Sequence, residues 1–315
     1  MSAEPAQTPL PVFIAGPTAS GKSALALALA ERLNGEIISV DSMQVYRGLD
    51  IGTAKPTPAE RDTVRHHLID VAELSEPFDA AKFCELARAA TSEIQARGKA
   101  PIFCGGTGLY FKAFLEGLGE APPSDEQLRT ELEQTPLEEL LRELQSKDPI
   151  TFEQVDRQNS RRVVRALEVI RLTGKPFSEQ RSAWQKTTEK KPAPNFFGLQ
   201  REPADLHERI NRRVDQMFAK GLVVETERLL KAGLDQNKTA MQAIGYRQVV
   251  EHLRGERNLP ETVDVIKIKT RQYAKRQMTW FRGQFELQWL VVGQDKSIQQ
   301  ITETIGSVFV SRKGA

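Results

Sequence analysis

Apolar and polar positions along the first third of the chain alternate between two patterns. Residues 12–15 form a continuous apolar run that stops at a glycine-rich turn, as a buried strand does. Residues 23–33 are rich in Ala and Leu and close at Asn34-Gly35, which reads as a helix and its stop signal. Further strands are predicted over 36–40, ending at Asp41, over 67–71 and over 100–104. A helix is predicted over 78–97, ended by Gly98, and the tight turn Gly105-Gly106-Thr107-Gly108 follows the last strand. Strands that alternate with helices imply a parallel sheet covered on both faces.

The pattern then changes. From 124 to about 182 the period is helical and no strand is credible. Strand composition returns over 195–200 and 287–292, with helical segments over 205–231, 239–254 and 260–281. The expected architecture is α/β: a parallel sheet flanked by helices over 1–120 and 196–315, interrupted by a helical insertion domain over 121–195.

Composition narrows this only slightly. A chain of 315 residues, 39% hydrophobic and 27% charged, can bury a sizeable core. The net charge of +2 points to no partner, so local clusters carry that question. Two cysteines, Cys84 and Cys104, sit in apolar stretches and imply no disulfide framework, which fits a reducing cytoplasm. The start, MSAEPAQTPLP, lacks a basic segment and an apolar run and does not read as a signal peptide. No stretch is long and apolar enough to span a bilayer, and no membrane partner is expected.

The first strand opens into Gly16-Pro17-Thr18-Ala19-Ser20-Gly21-Lys22-Ser23, which fits the phosphate-binding loop G-x-x-x-x-G-K-[ST] without a mismatch. Glycines let backbone N–H groups turn toward oxyanions, and a helix N-terminus adds partial positive charge. Lys22 supplies a full charge, and the Ser23 hydroxyl can ligate Mg²⁺. A chance match is the alternative, but the strand before the loop and the helix after it give the motif its proper setting. The loop does not name a reaction, because ATPases, kinases and GTPases share it. Leu68-Ile69-Asp70 is the candidate for the Mg²⁺-binding Asp of a standard NTPase. The 100–104 strand runs into glycines instead, which argues against simple nucleotide hydrolysis.

The second strand delivers Asp41-Ser42-Met43-Gln44 to the carboxyl edge of the sheet, where ligands bind in open α/β folds. There Asp41 can be a general base, a partner of Mg²⁺, or simply the cap of a turn. Gln44 could read an adenine edge, since an amide both donates and accepts.

A resemblance now becomes specific. The loop, then Asp41-Ser42-Met43-Gln44-Val45-Tyr46-Arg47-Gly48-Leu49-Asp50-Ile51-Gly52-Thr53-Ala54-Lys55-Pro56 and Gly105-Gly106-Thr107-Gly108-Leu109-Tyr110, are similar to the tRNA dimethylallyltransferase family. Arg165-Ala166-Leu167-Glu168-Val169, Ala243-Ile244-Gly245-Tyr246-Arg247 and Gln272-Tyr273-Ala274-Lys275-Arg276-Gln277 continue the likeness in order. That family transfers a dimethylallyl group from its diphosphate to N6 of the adenosine just 3′ of the tRNA anticodon. The resemblance implies that the loop from Gly16 to Ser23, with Arg213, holds the diphosphate with Mg²⁺ at Ser23. It makes Asp41 the general base and places Thr107 near the same centre. It assigns tRNA contacts to Asp41, Ser42, Met43, Gln44, Thr107, Arg129, Arg161, Arg162, Val163, Val164 and Arg165, and to Ala243, Ile244, Gly245, Tyr246, Arg247, Lys275 and Arg276. The partners are then the anticodon stem-loop and dimethylallyl diphosphate, and a monomer is expected. The insertion would clamp the stem-loop, and the target base would have to leave its stack.

The insertion motif departs from the family's Asp-x-Gln-Arg, reading Asn159-Ser160-Arg161-Arg162, which puts the individual roles of residues 159 and 161 in question but not the family likeness. No Cys/His pattern lies near the C-terminus, so the zinc finger of eukaryotic relatives is not expected and the type is bacterial. Two basic clusters suit RNA: Arg157, Arg161, Arg162, Arg165, Arg171 and Lys175, and then Lys267, Lys269, Arg271, Lys275, Arg276 and Arg282 with Tyr273, Trp280 and Phe281 between them. Solvated helix faces with core aromatics would give the same pattern. His66, His67, His207 and His252 lack metal-ligand spacing and read as structural. A small-molecule kinase using ATP and Mg²⁺ is the rival function, and a non-enzymatic RNA-binding protein a third.

Overall fold

Strand β1 (Val12–Ala15) has every residue buried. Val12 and Ile14 face one core layer, and Phe13 and Ala15 face the other. A strand covered on both sides has no polar face to show, which is why the run reads as continuously apolar. The structure, a computed structural model, describes residues 8–118, 122–179, 195–293 and 296–311. Six strands form one parallel sheet: β1, β2 (Gly35–Val40), β3 (His66–His67), β4 (Ala100–Gly105), β5 (Phe196–Gln200) and β6 (Gln288–Val291), in the order β3-β2-β4-β1-β5-β6. Val12 pairs in register with Ile102, and Phe13 with Phe196, so β1 runs between the strands whose ends carry Thr107 and Arg201.

One face is covered by α1 (Lys22–Leu33) and α13 (Ile298–Ser311), through Leu25, Leu29, Ile301 and Ile305. Helix α13 was not anticipated from the apolar pattern. The other face packs under α3 (Ala80–Ala96), α4 (Gly108–Glu116), α9 (Pro203–Ala219), α10 (Leu222–Lys231), α11 (Tyr246–Leu253) and α12 (Leu259–Gln284). A short α2 (Pro58–Thr63), also unanticipated, starts at a capping box between Thr57 and Glu60.

Three expectations are corrected. The strand expected over 67–71 ends at His67, because Leu68 (φ 61°) and Asp70 (φ 57°) adopt left-handed backbone that no strand continues. The helix expected over 205–231 is two helices, broken at Gly221 (φ 94°). The one expected over 239–254 is a 3₁₀ turn, Ala240–Gln242, and then α11, broken at Gly245 (φ 106°).

The chain divides into two compact units, Glu116–Lys190 and the remainder. In the first, α5 (Glu126–Gln134), α6 (Leu137–Lys147), α7 (Pro149–Gln154) and α8 (Ser160–Thr173) close around Leu132, Leu140, Leu144, Val163, Leu167 and Ile170. The end of the helical stretch expected to about 182 lies outside the described residues.

Candidate active site

The phosphate loop leaves β1 at Gly16, whose φ is 147°, and a Cβ there would sit 2.6 Å from the Leu199 carbonyl, so only glycine fits. Gly21 (φ 103°) turns the chain into α1, with Lys22 and the exposed Ser23 in its first turn. The loop's carbonyls are held from outside. Arg201 Nε donates to Ser20 O at 2.8 Å and Arg209 Nε to Ala19 O at 2.9 Å. Lys22 Nζ donates to Pro17 O at 2.7 Å. Burial, reinforced by the nearby Arg213 and opposed by Asp41 and Cys104, pushes the Lys22 ammonium down to about 8. Burial also holds Arg213 below its ordinary value. Ser20 Oγ is buried without a hydrogen-bond partner.

Beside this loop lies the turn after β2. Asp41 Oδ1 accepts from the N–H groups of Met43 (2.9 Å) and Gln44 (3.3 Å), so Asp41 does cap a turn, and its second oxygen is left for other work. Thr107 ties the end of β4 to the same turn. Its N–H donates to Val40 O, and its Oγ1 accepts from Ser42 N–H at 3.1 Å. The adenine-reading role considered for Gln44 is corrected: Nε2 donates to Thr53 O and Oε1 accepts from Ser39 Oγ, so both ends of the amide are engaged within the protein.

Two cavities meet here. One of about 1130 Å³ has Gly21, Lys22 and Ser23 on its wall, with Arg209, Arg212 and Arg213 of α9 and Lys220 just past its end also lining it. The other, of about 310 Å³, is lined by Thr18, Asp41, Ser42 and Met43, by Val214 and Ile266, and by Tyr273 and Arg276 of α12. Arg213 and Met217 line both. Ala243 and Ile244 also reach the smaller cavity.

Both cavities are bounded by the loop at 50–53, and its support was not legible in the sequence. The Glu225 carboxylate accepts the Ile51 N–H at 3.0 and 3.1 Å. Tyr246 is fully buried; its hydroxyl donates to Glu225 at 2.6 Å and accepts the Gly52 N–H at 3.0 Å. The Tyr246 side chain, expected among the tRNA contacts, therefore serves the loop, while Arg247 beside it is exposed and pairs with Glu251. Asp70, the sequence's candidate for an NTPase carboxylate, is taken by Lys55 and by Arg61 (2.8 Å), whose charges outweigh its burial and hold it below the ordinary carboxylate range.

In the helical unit, Glu168 is fully buried and its Oε2 receives both Arg129 and Arg165 at 2.7 Å, while Oε1 accepts the Asp125 N–H. The row of arginines expected along α8 is thus split. Arg161 and Arg162 are exposed, whereas Arg165 turns inward to Glu168 and the Pro122 carbonyl. Val163 and Val164 are core, at 0% and 4% exposure, so their side chains are withdrawn from any RNA. Arg171 is held by Glu143 and Glu131, and Arg157 lies over the Phe152 ring.

On α12 the second cluster separates in the same way. Lys267 and Arg271 turn to Asp215 and Asn211 of α9, while Lys275 and Arg276 are exposed. Phe281 is core, and the partly buried Trp280 packs against it edge to face and serves that packing; Tyr273 remains at the smaller cavity. The sequence quoted Gln277 without a role. It is buried and joins two loops: Oε1 accepts the Thr18 N–H and Nε2 donates to Gly106 O, both at 2.9 Å.

Among the described residues no group of three or more His, Cys, Asp or Glu could hold a metal, and no helix is long and apolar enough to cross a membrane. Both cysteines are buried and free.

Against known proteins, the sequence profile described as IPP transferase matches residues 44–284. The chain is 48% identical over 283 residues, 89% of its length, to a tRNA dimethylallyltransferase of Geobacter metallireducens, of which it covers 91%. It is 47% identical over 294 residues, 92% of its length, to tRNA dimethylallyltransferase 1 of Trichlorobacter lovleyi, covering 96% of it. The fold is similar to that of the tRNA isopentenylpyrophosphate transferase of Bacillus halodurans, with a TM-score of 0.69, 41% identity and 98% of each chain covered. A eukaryotic dimethylallyltransferase acting on tRNA gives 0.76 at 29% identity, over 96% of this chain and 80% of the other.

Proposed function

The chain belongs to the IPP transferase family, and we propose that its two adjoining cavities bring a diphosphate donor and an adenine base together between Lys22 and Asp41. Its activity is dimethylallyl transfer to tRNA. The observation that carries the division of labour is that Arg213 and Met217 wall both cavities. A donor gripped at Lys22 directs its carbon end past Arg213 toward Asp41.

In this reading the larger cavity takes the diphosphate. The loop amides and helix terminus favour an anion. Lys22 exchanges Pro17 O for a phosphate oxygen, and Arg213 approaches from α9. For Mg²⁺ the phosphate loop offers the exposed Ser23 hydroxyl. That fits an ion which keeps several waters and is held largely by substrate phosphates. When bound, the ion neutralises charge on the diphosphate.

The smaller cavity, partly apolar through Val214, Met217 and Ile266, takes the extruded adenine. The allylic C–O bond breaks with its electrons on the diphosphate, and the lone pair of N6 forms the new C–N bond. The N6 proton passes to the free oxygen of Asp41, while the other oxygen keeps its turn in place. The Thr107 hydroxyl, anchored by Ser42 N–H, holds that turn against the end of β4. The acceptor is the adenosine 3′ of the anticodon, and Arg161, Arg162, Lys275 and Arg276, all exposed, are the cations for RNA phosphates.

The test incubates the protein with unmodified tRNA, Mg²⁺ and labelled dimethylallyl diphosphate, followed by nucleoside analysis. Label on N6 of that adenosine, lost in K22A and D41N, is expected. Label at another nucleoside overturns the acceptor assignment. Stabilisation by non-hydrolysable ATP as large as by dimethylallyl diphosphate would favour a kinase.

A further inference from the structure

We infer that Gln277 is a positioning residue that fixes the spacing between the phosphate loop and the Thr107 loop, and thereby between donor and acceptor. The inference rests on the reading that the first loop holds the donor and the second faces the acceptor.

Gln277 is 7% exposed, and both ends of its amide are used, Oε1 by Thr18 N–H and Nε2 by Gly106 O. The orientation is determined by its partners. A flipped amide would set N–H against N–H and oxygen against oxygen, two repulsive contacts in a buried place. Its helix cannot drift, since Ala274 and Phe281, three residues before and four after, are both buried.

The loops are shaped to receive this side chain. A Cβ on Gly106 would lie 2.1 Å from Gln277 Nε2, so the close approach requires glycine there. Residue 107 follows directly, and its hydroxyl accepts Ser42 N–H from the Asp41 turn. Tyr273, one turn earlier on α12, lines the smaller cavity together with Asp41. One amide therefore links the ends of β1 and β4, and Thr107 links the ends of β4 and β2. Donor grip, Thr107 and Asp41 form one hydrogen-bonded chain across three strand ends. Among acyclic natural side chains of this length only an amide, or a protonated carboxyl, can donate at one end and accept at the other.

The test compares Q277L and Q277E with wild type in single-turnover reactions saturated in both substrates, across the pH range in which all three are folded. Q277L should lose about 10²-fold in rate, the scale of a misplacement of about 1 Å between reacting groups. Donor and tRNA dissociation constants should change less than the rate. In Q277E, the protonated acid reproduces both hydrogen bonds and the ionised form cannot donate to Gly106 O. Its rate relative to wild type should therefore rise as pH falls, a signature that a merely structural residue would not produce. If Q277L does not fold, the pH profile of Q277E still decides. T226V removes another buried hydrogen bond, Thr226 Oγ1 to Leu222 O, far from either loop in sequence, and serves as a control.

Rates for both Gln277 variants within about threefold of wild type, the scatter of a neutral change, with no relative pH dependence, overturn the inference. So does an equal loss in T226V. Donor binding in K22A separates the two levels: if K22A binds donor as wild type does, the phosphate-loop reading fails. If K22A loses donor while the Gln277 variants stay wild-type, Gln277 alone fails.

Discussion

Lys22 Nζ donates to the carbonyl of Pro17, five residues earlier in its own loop, at 2.7 Å. The ammonium is thus held by a neutral acceptor in a site that pushes it down to about 8, chiefly by burial. A bound diphosphate would raise it again, because an opposite charge favours the protonated form. Donor binding above pH 8 should therefore take up a proton. A group with a pKa of about 8 is half-protonated at pH 8, so the uptake there should be about half a proton per donor and should approach one at higher pH. Affinity should be flat below that region and fall by up to about tenfold per pH unit above it. Calorimetry in two buffers of different ionisation enthalpy measures the uptake. No buffer dependence at pH 8, or the same dependence in K22A, would refute the assignment.

Asp41 holds the turn through Oδ1, which the amide oxygen of Asn can imitate. D41N should consequently fold and bind both substrates while its turnover drops by about 10²–10⁴, the usual contribution of a general base. Single-turnover kinetics over pH and Mg²⁺ checks this. A rate within a few-fold of wild type sinks the general-base role. Recovery at high Mg²⁺ would assign Asp41 to the metal instead.

Arg161 and Arg165 lie one turn apart on α8 yet differ in kind. Arg161 is exposed, so R161A should flatten the log–log salt dependence of tRNA binding by about one unit and leave thermal stability unchanged. R165A strips one of the two guanidinium partners from the buried Glu168 and should destabilise the fold by about 1–3 kcal/mol. Denaturant titration and filter binding together distinguish the two. Equal stability for both variants would contradict the Glu168 network.

Tyr246 was expected to meet tRNA and instead braces the loop at 50–53 through Glu225 and Gly52. Y246F leaves the Gly52 N–H without its acceptor and Glu225 with the Ile51 N–H but no hydroxyl donor, at a cost of about 1–3 kcal/mol. Because that loop bounds the donor cavity, KM for dimethylallyl diphosphate should rise while the tRNA salt slope stays the same. A changed salt slope with an unchanged donor KM would restore the RNA role.

Features that depend on local chemistry were legible along the chain. The strand over 12–15, the loop from Gly16 to Lys22 and the delivery of Asp41 to a strand end follow from apolar periodicity and from glycines whose φ values no other residue tolerates. The identity of the family was legible too, since its motifs are contiguous stretches. Periodicity failed where a glycine at positive φ cuts a helical run, at Gly221 and Gly245, because the apolar face continues across the break. Only the tertiary structure could decide which cations remain for RNA. Whether Arg165 faces solvent or Glu168, or Lys267 solvent or Asp215, depends on the partner that packing supplies, and the charge is the same in the sequence either way. Gln277 is the clearest case. It lies 259 residues from Thr18 and 171 from Gly106, and nothing in its neighbourhood along the chain marks an amide that the parallel sheet sets between two strand ends.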